Sequence, residues 1–395
     1  MTTLAAPVKY RVTSIDLLRG IVMVIMALDH VRDFFHVSAS VSDPTNMETT
    51  TPTLFFTRWI THFCAPTFVF LAGTSAYLSG TKKTTTELGS FLRKRGLWLI
   101  LIEIALMSLI FTFNPLYNVI ILQVIWSIGV SMILLSFLIR LPISVILVTG
   151  LLIISLHNLL DYPEAARNGD VGFVWSLFHR QGFFPYTSDH FLFIFYPFMP
   201  WFGIMCCGYC FGSLYKKDFP AEKRKKILLQ LGLGIILLFV VVRFINIYGD
   251  RAPWGHQRNI VYTFLSFLNT TKYPPSFLYT CMTLGPGILF LAFIEQAQNK
   301  IAQFFIVFGR VPFFYYVLHF FVVHLLTVIV FFATGYTMKD LIPKNTPFLF
   351  RPDNFGFSLW VVYLIWASII IGLYPLCKWY NKYKSTHQQW WLSYV

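Results

Sequence analysis

Charge is scarce in this chain. Only 12% of its 395 residues are charged, and just 17 are acidic. A soluble globular protein carries about 25%, so that class is excluded at the outset. Cysteine is also sparse: Cys64, Cys206, Cys207, Cys210, Cys281 and Cys377 all sit in or beside apolar runs. The group Cys206-Cys207-Gly208-Tyr209-Cys210 has no histidine at ligand spacing. It reads as small apolar packing, and no metal is expected. No internal repeat is visible, nor the paired, interrupted helices that mark inverted-repeat transporters. The first apolar stretch lacks a small-residue cleavage site, so it is expected to stay as a helix.

What is present is hydrophobic. The composition is 56% hydrophobic with 42 Phe, the mean hydropathy is +0.63, and apolar runs of about 20 residues recur along the chain. The expectation is an all-α, polytopic transmembrane helical bundle forming one domain over 1–395, with an interfacial tail at 385–395. Ten spans are read at 15–37, 56–80, 95–113, 117–138, 141–160, 190–214, 227–247, 276–296, 312–334 and 357–379. The net charge of +14 does not point to nucleic acid, because most of the 31 basic residues, from Lys9 to Lys384, fall in one alternating set of short loops. By the positive-inside rule those loops and both termini are cytoplasmic. The expected location is a bacterial-type inner (plasma) membrane. The longer opposite loops, near 38–55, 161–189, 248–275 and 335–356, have the composition of ordered, site-forming loops.

One stretch concentrates the chemistry. Ser14 to His36 begins as an apolar helix and ends with Asp29, His30, Arg32, Asp33 and His36 inside two turns. Arg19 precedes His30 by roughly 16 Å of helix, about half a hydrocarbon thickness. A bilayer span has no stability reason to hold such a load. A histidine beside carboxylates in a low-dielectric cavity is suited to general-base work. The competing reading is a membrane boundary where Asp and Arg merely satisfy one another.

Further candidates follow in order. His62 lies at about the depth of His30 and is either a second acid/base group or a histidine bonded between helices. Asp189 and His190 stand at an outer mouth, before Pro197 and Pro200. Arg243, inside a span, needs a partner or an anion. Lys272, before Pro274 and Pro275, is placed to hold an anionic group or to mark the interface. Arg310 and His319 open the ninth span on the cytoplasmic side. Glu103 and Gln123 read as polar glue between helices. Depth then sorts these residues: Arg19 and Arg310 for the phosphates of a cytosolic donor, and Asp29, His30, His62 and Lys272 for an acceptor at the other face.

The segments Ser14-Ile15-Asp16-Leu17-Leu18-Arg19-Gly20-Ile21, Phe70-Leu71-Ala72-Gly73-Thr74-Ser75 and Phe308-Gly309-Arg310 with Tyr316 and His319 resemble motifs of the heparan-alpha-glucosaminide N-acetyltransferase catalytic family. The spacing from Arg19 to His30 resembles the signature of acyltransferase-3 membrane proteins. The resemblance implies a transmembrane acyltransferase with acetyl-CoA, or another acyl-CoA, as co-substrate and a sugar acceptor beyond the membrane. It implies that Arg19 contacts the CoA side and that His30 is catalytic. Those two roles follow the acyltransferase-3 pattern; in the heparan-alpha-glucosaminide N-acetyltransferase family the catalytic histidine lies after the first span, where this chain offers His36 without matching context, while His62 falls in the next span. The resemblance therefore leaves His30, His36 and His62 as alternatives, and loop 38–55 does not carry a heparan-type acceptor with it.

The reading is an acyltransferase moving an acyl group from cytoplasmic acyl-CoA to a hydroxyl or amine of a glycan or glycolipid at the outer face. Its site set is Asp29, His30, Asp33, His36 and His62 for catalysis, and Arg19, Arg310 and His319 for the donor. Arg32, Asp189, His190, Arg243 and Lys272 are the set for the acceptor. Membrane lipid and the glycan are the expected partners, and a homodimer is left open. The alternative is a transporter or proton-coupled flippase for a lipid-linked sugar, since buried Asp and His also suit proton relays.

Overall fold

Helix α1 (Thr13–Phe35) is the axis of the molecule. It buries its charged residues along with its apolar ones: Asp16, Asp29 and Arg32 are all buried. The computed structural model describes residues 11–167, 171–341, 347–353, 355–387 and 389–393. Lys9, and Gln388 in the expected interfacial tail, lie outside the described residues.

The helices that follow are α2 (Pro52–Thr61), α3 (Cys64–Gly80), α4 (Thr85–Ile102), α5 (Ser108–Thr112), α6 (Val124–Leu138), α7 (Ile143–Leu156), α8 (Asp161–Ala166) and α9 (Gly172–Phe178). After them come α10 (Phe198–Phe211), α11 (Ala221–Ile245), α12 (Ile260–Leu268), α13 (Phe277–Ile294), α14 (Lys300–Arg310), α15 (Pro312–Ala333) and α16 (Leu359–Thr386). Helices α14, α15 and α16 surround α1 together with α2, α3 and α13. A second group packs α10 against α3, α6 and α7, and α11 lies along α13. Helices α7, α11 and α16 turn Leu, Ile, Val and Phe outward, as a lipid-facing rim must.

Among the described residues, seven helices or helix pairs are long and apolar enough to cross a membrane. The other three expected spans differ for identifiable reasons. Helix α1 is long enough but carries five charges. The runs at 117–138 and 190–214 each divide into a strand and a short helix. Strands β1 (Val119–Leu122), β2 (Gly182–Pro185) and β3 (Phe191–Ile194) form a sheet in the order β1-β3-β2, with β1 parallel to β3 and β2 antiparallel to it. The expected all-α fold is thus mostly helical with a small sheet at the His30 end. Val119-Ile120-Ile121-Leu122 and Phe191-Leu192-Phe193-Ile194 are β-branched and aromatic runs, which suit a pleated surface. Pro197 caps the helix that follows β3 and Pro200 stands in its first turn, where a proline's missing N–H breaks no intrahelical bond.

A buried carboxylate supports this break. Glu103 opens a π-helical turn, Glu103–Met107, at the end of α4. Its Oε2 accepts from the backbone N–H of Trp126 at 3.0 Å. It therefore satisfies donors at the start of α6 that have no intrahelical partner.

Candidate functional site

His30 and His319, 289 residues apart in sequence, meet side by side: His30 Nδ1 lies 2.7 Å from His319 Nε2. Their tautomers follow from their partners. His319 Nδ1 is 2.8 Å from the carbonyl oxygen of Tyr315, which can only accept, so the hydrogen is assigned to this nitrogen. His319 Nε2 is then an acceptor, and His30 Nδ1–H donates to it. The hydrogen on His30 is thereby fixed at Nδ1, leaving a lone pair on Nε2. His319 is fully buried, and Phe320 covers the His30 ring at a centroid distance of 3.8 Å.

His30 stands in the wall of a cavity of about 560 Å³, lined also by Asp29, Arg58, Gln123, Lys272, Tyr273 and Phe348. Asp29 does not hold His30. Its carboxylate is clamped between Arg32, at 2.8 Å, and Arg58. Arg32 also reaches Asp33 at 2.5 Å. Cations and carboxylates thus share this wall with the rings of Phe34, Phe195 and Tyr196. Such a mixture suits a polar, sugar-sized ligand with an apolar face.

A second cavity, of about 300 Å³, lies at the Arg19 end, lined by Arg19, Arg95, Arg310, Ser75, Tyr316 and Lys384 among others. Among the described residues the two cavities have no lining residue in common. Gln123 faces one and Val124 the other; Phe320 faces one and Tyr316, a turn earlier on α15, the other. The His30–His319 pair therefore sits at the partition. Eleven helical steps of about 100° return to within about 20° of the start, so Arg19 and His30 lie on one stripe of α1, each at its own cavity.

The Arg19 end is built by close backbone approach. A Cβ on Gly20 would fall on the Phe305 carbonyl of α14, and one on Gly309 would fall on the Asp16 carbonyl of α1. Glycine at both positions lets the two helices touch. That contact brings Arg310 to Asp16, Nε to Oδ2 at 3.7 Å, where Arg11 also pairs at 2.8 Å. Arg19 donates to Asp16 at 3.2 Å, to the Gly309 carbonyl at 3.2 Å and to Ser75 Oγ at 3.0 Å. One carboxylate holds three guanidinium groups around a strongly basic cavity, an arrangement that suits phosphate.

The remaining candidates are placed elsewhere. His62 caps the end of α2, buried outside the cavity wall; its carbonyl accepts from Tyr279 Oη at 2.8 Å. His36 ends α1; its Nδ1 lies 2.8 Å from Ser38 Oγ, and its backbone bridges to Phe357. Asp189 and His190 form an exposed turn between β2 and β3, with His190 Nδ1 at 2.8 Å from Asp189 Oδ1. That hydrogen bond raises the His190 pKa and lowers that of Asp189. Arg243, expected to meet an acceptor, spends its guanidinium on the carbonyls of Phe267, Ala252, Ser266 and Asn269, at 2.6 to 3.1 Å. These contacts supply the partner that a guanidinium within a span needs, from the protein's own loop. The residue not singled out from sequence is Arg58. Its signal was available, a cation one turn before His62 on a helix leading into the bundle.

A family profile described as heparan-alpha-glucosaminide N-acetyltransferase, catalytic, matches residues 11–246. The chain belongs to this family. The matched region, more than half of the chain, holds Arg19, Asp29, His30, Arg58 and His62, while Arg310 and His319 come from beyond it. A comparison with curated proteins found no match. Family and fold together identify a membrane protein of the acetyltransferase type.

Proposed function

We propose that this protein transfers an acetyl group from acetyl-CoA, bound at the Arg19 cavity, to an amine or hydroxyl of a glycan or glycolipid held in the His30 cavity. The Arg19 cavity faces the cytoplasm of a bacterial-type inner membrane, and the His30 cavity faces outward. The observation that supports this most is a pair of cavities at the two ends of the Arg19–His30 stripe, with a histidine in the wall of one whose free nitrogen is defined by its partner.

In this reading His30 Nε2 takes the proton of the acceptor group as that group attacks the thioester carbonyl. A bond forms between the acceptor nitrogen or oxygen and the acetyl carbon, and the carbon–sulfur bond breaks. The thiolate leaves toward the Arg19 side and takes the proton from the His30 imidazolium, so CoA departs as the thiol. His319 accepts from His30 Nδ1–H throughout and steadies the imidazolium. Arg19 and Arg310 hold donor phosphates, and Lys272 and Arg58 line the acceptor side. Direct transfer, with no acyl-enzyme step, requires the thioester to reach His30 through the partition between the cavities.

The test is acetyl transfer by the purified protein in detergent or nanodiscs, using labelled acetyl-CoA and glucosamine or a glucosamine-bearing lipid. Label appearing on the amino sugar supports the reading. Saturable acetyl-CoA binding without transfer to any hexosamine would remove the sugar acceptor from it, and absence of binding would remove the donor.

A further inference from the structure

A second group of buried ionisable side chains lies apart from both cavities, at the end of α7 and in the segment after it. One carboxylate oxygen each from Asp161 and Glu164 and one ring nitrogen of His179 lie within 4.8 Å of one another. Glu164 is 2% exposed and His179 fully buried. Two enclosed oxygens here, Glu164 Oε2 and Asp161 Oδ1, have no hydrogen-bond partner among the described residues. The nearest cation to Glu164 Oε2 is Arg180, at 3.7 Å, too far for a hydrogen bond. Leaving a buried carboxylate oxygen unsatisfied is costly, and no role in acyl transfer explains the cost.

We propose that Asp161, Glu164 and His179 bind one divalent transition-metal ion, of the zinc class. Ligand bonds of about 2.0–2.2 Å put the donors of one ion no more than about 4.4 Å apart, so the three need to close by only a few tenths of an ångström. An oxygen–oxygen–nitrogen donor set suits zinc and its neighbours. The outer partners are in place as well. A ligating histidine usually donates its other N–H to a fixed acceptor; His179 Nε2 lies 3.0 Å from His157 Nδ1, while its Nδ1 faces Glu164 at 2.6 Å. Trp175 Nε1 donates to Glu164 Oε1 at 2.6 Å and Asn158 Nδ2 to Asp161 Oδ2 at 2.8 Å. Those bonds orient both carboxylates, Glu164 Oε2 and Asp161 Oδ1 carry none among the described residues, and the ion would take the place of the proton between His179 Nδ1 and Glu164 Oε1.

The ion would tie the α8–α9 segment to the end of α7. Asn158 Oδ1 in turn accepts from the Phe277 backbone N–H at 2.8 Å, five residues beyond Lys272 in the acceptor cavity. The role is structural, and the proposal does not depend on the acetyl-transfer reading.

The experiment uses the purified full chain, stripped with chelator and dialysed against zinc, with manganese and cobalt in parallel, followed by elemental analysis and thermal unfolding. About one zinc per chain is expected, with a higher Tm than the stripped protein, both lost in Asp161→Asn and Glu164→Gln. Asp161→Asn, at a half-buried position, keeps the test readable if Glu164→Gln fails to fold. No stoichiometric metal from any of the three ions, or zinc retained in Asp161→Asn, overturns the proposal.

Discussion

His30 donates its Nδ1–H to His319 Nε2 across 2.7 Å, and His319 is itself locked to the Tyr315 carbonyl at 2.8 Å. One buried imidazole thus sets the tautomer of another that faces a cavity. Of the two carboxylates beside His30 in the sequence, Asp29 is held by Arg32 and Arg58, and Asp33 by Arg32.

In the proposed mechanism His319 is a positioning residue. His319→Ala should lower kcat by about 10- to 100-fold, less than the roughly 10²–10⁴-fold contribution of the base itself, and shift the pH profile of kcat while leaving the KM for acetyl-CoA little changed. His319→Gln, whose amide oxygen can still accept, should recover part of the loss. A purely structural role would give loss of Tm without the change in pH profile.

Arg19→Ala should weaken acetyl-CoA binding about tenfold, ~1.4 kcal/mol, by calorimetry on detergent-solubilised protein. The KM for the acceptor should stay within about twofold. An equal loss for both substrates would mean that Arg19 serves the fold through Asp16, Ser75 and Gly309 rather than the donor.

The α1–α14 contact makes a sharper stability prediction. Gly20→Ala or Gly309→Ala forces a methyl group onto a backbone carbonyl, and overpacking of this kind costs about 1–3 kcal/mol or more. Gly234→Ala on α11 and Gly372→Ala on α16 meet nothing within 4 Å and should be neutral or stabilising by about 0.5–1 kcal/mol. Tm values for the four variants read both effects in one assay.

Arg243→Ala should destabilise by about 3 kcal/mol or more, because four carbonyls lose a charged donor. Arg243→Lys should rescue little of it, since an ammonium lacks the planar fork. Limited proteolysis of the 246–269 segment, beside Tm, locates the damage; unchanged protection in Arg243→Ala would return this residue to the pool of acceptor contacts.

The membrane class and the family were legible because both rest on local pattern: long apolar runs for one, and for the other the Ser14–Ile21 and Phe70–Ser75 motifs, which lie inside the matched residues 11–246. The Ser14–Ile21 and Phe308–Arg310 motifs turn out to be the halves of one helix crossing, which neither shows alone. The pairing of His30 with His319 could not be read, since each is a lone histidine in an apolar run and only tertiary packing joins them. The sheet was missed because a four-residue apolar strand followed by proline and helix looks like a continuous span. Arg243 looked like a ligand contact because the carbonyls it satisfies lie up to 26 residues away, in a loop whose course has no periodic signal. The Asp161, Glu164 and His179 group was hidden by irregular spacing.

The most direct measurement is CoA release by purified wild type and His30→Ala under saturating acetyl-CoA and amino-sugar acceptor. The account predicts a loss of about 10²–10⁴-fold in kcat, the usual contribution of a positioned base, with acetyl-CoA affinity retained. Equal rates in the two proteins would contradict it and pass the role to His36 or His62.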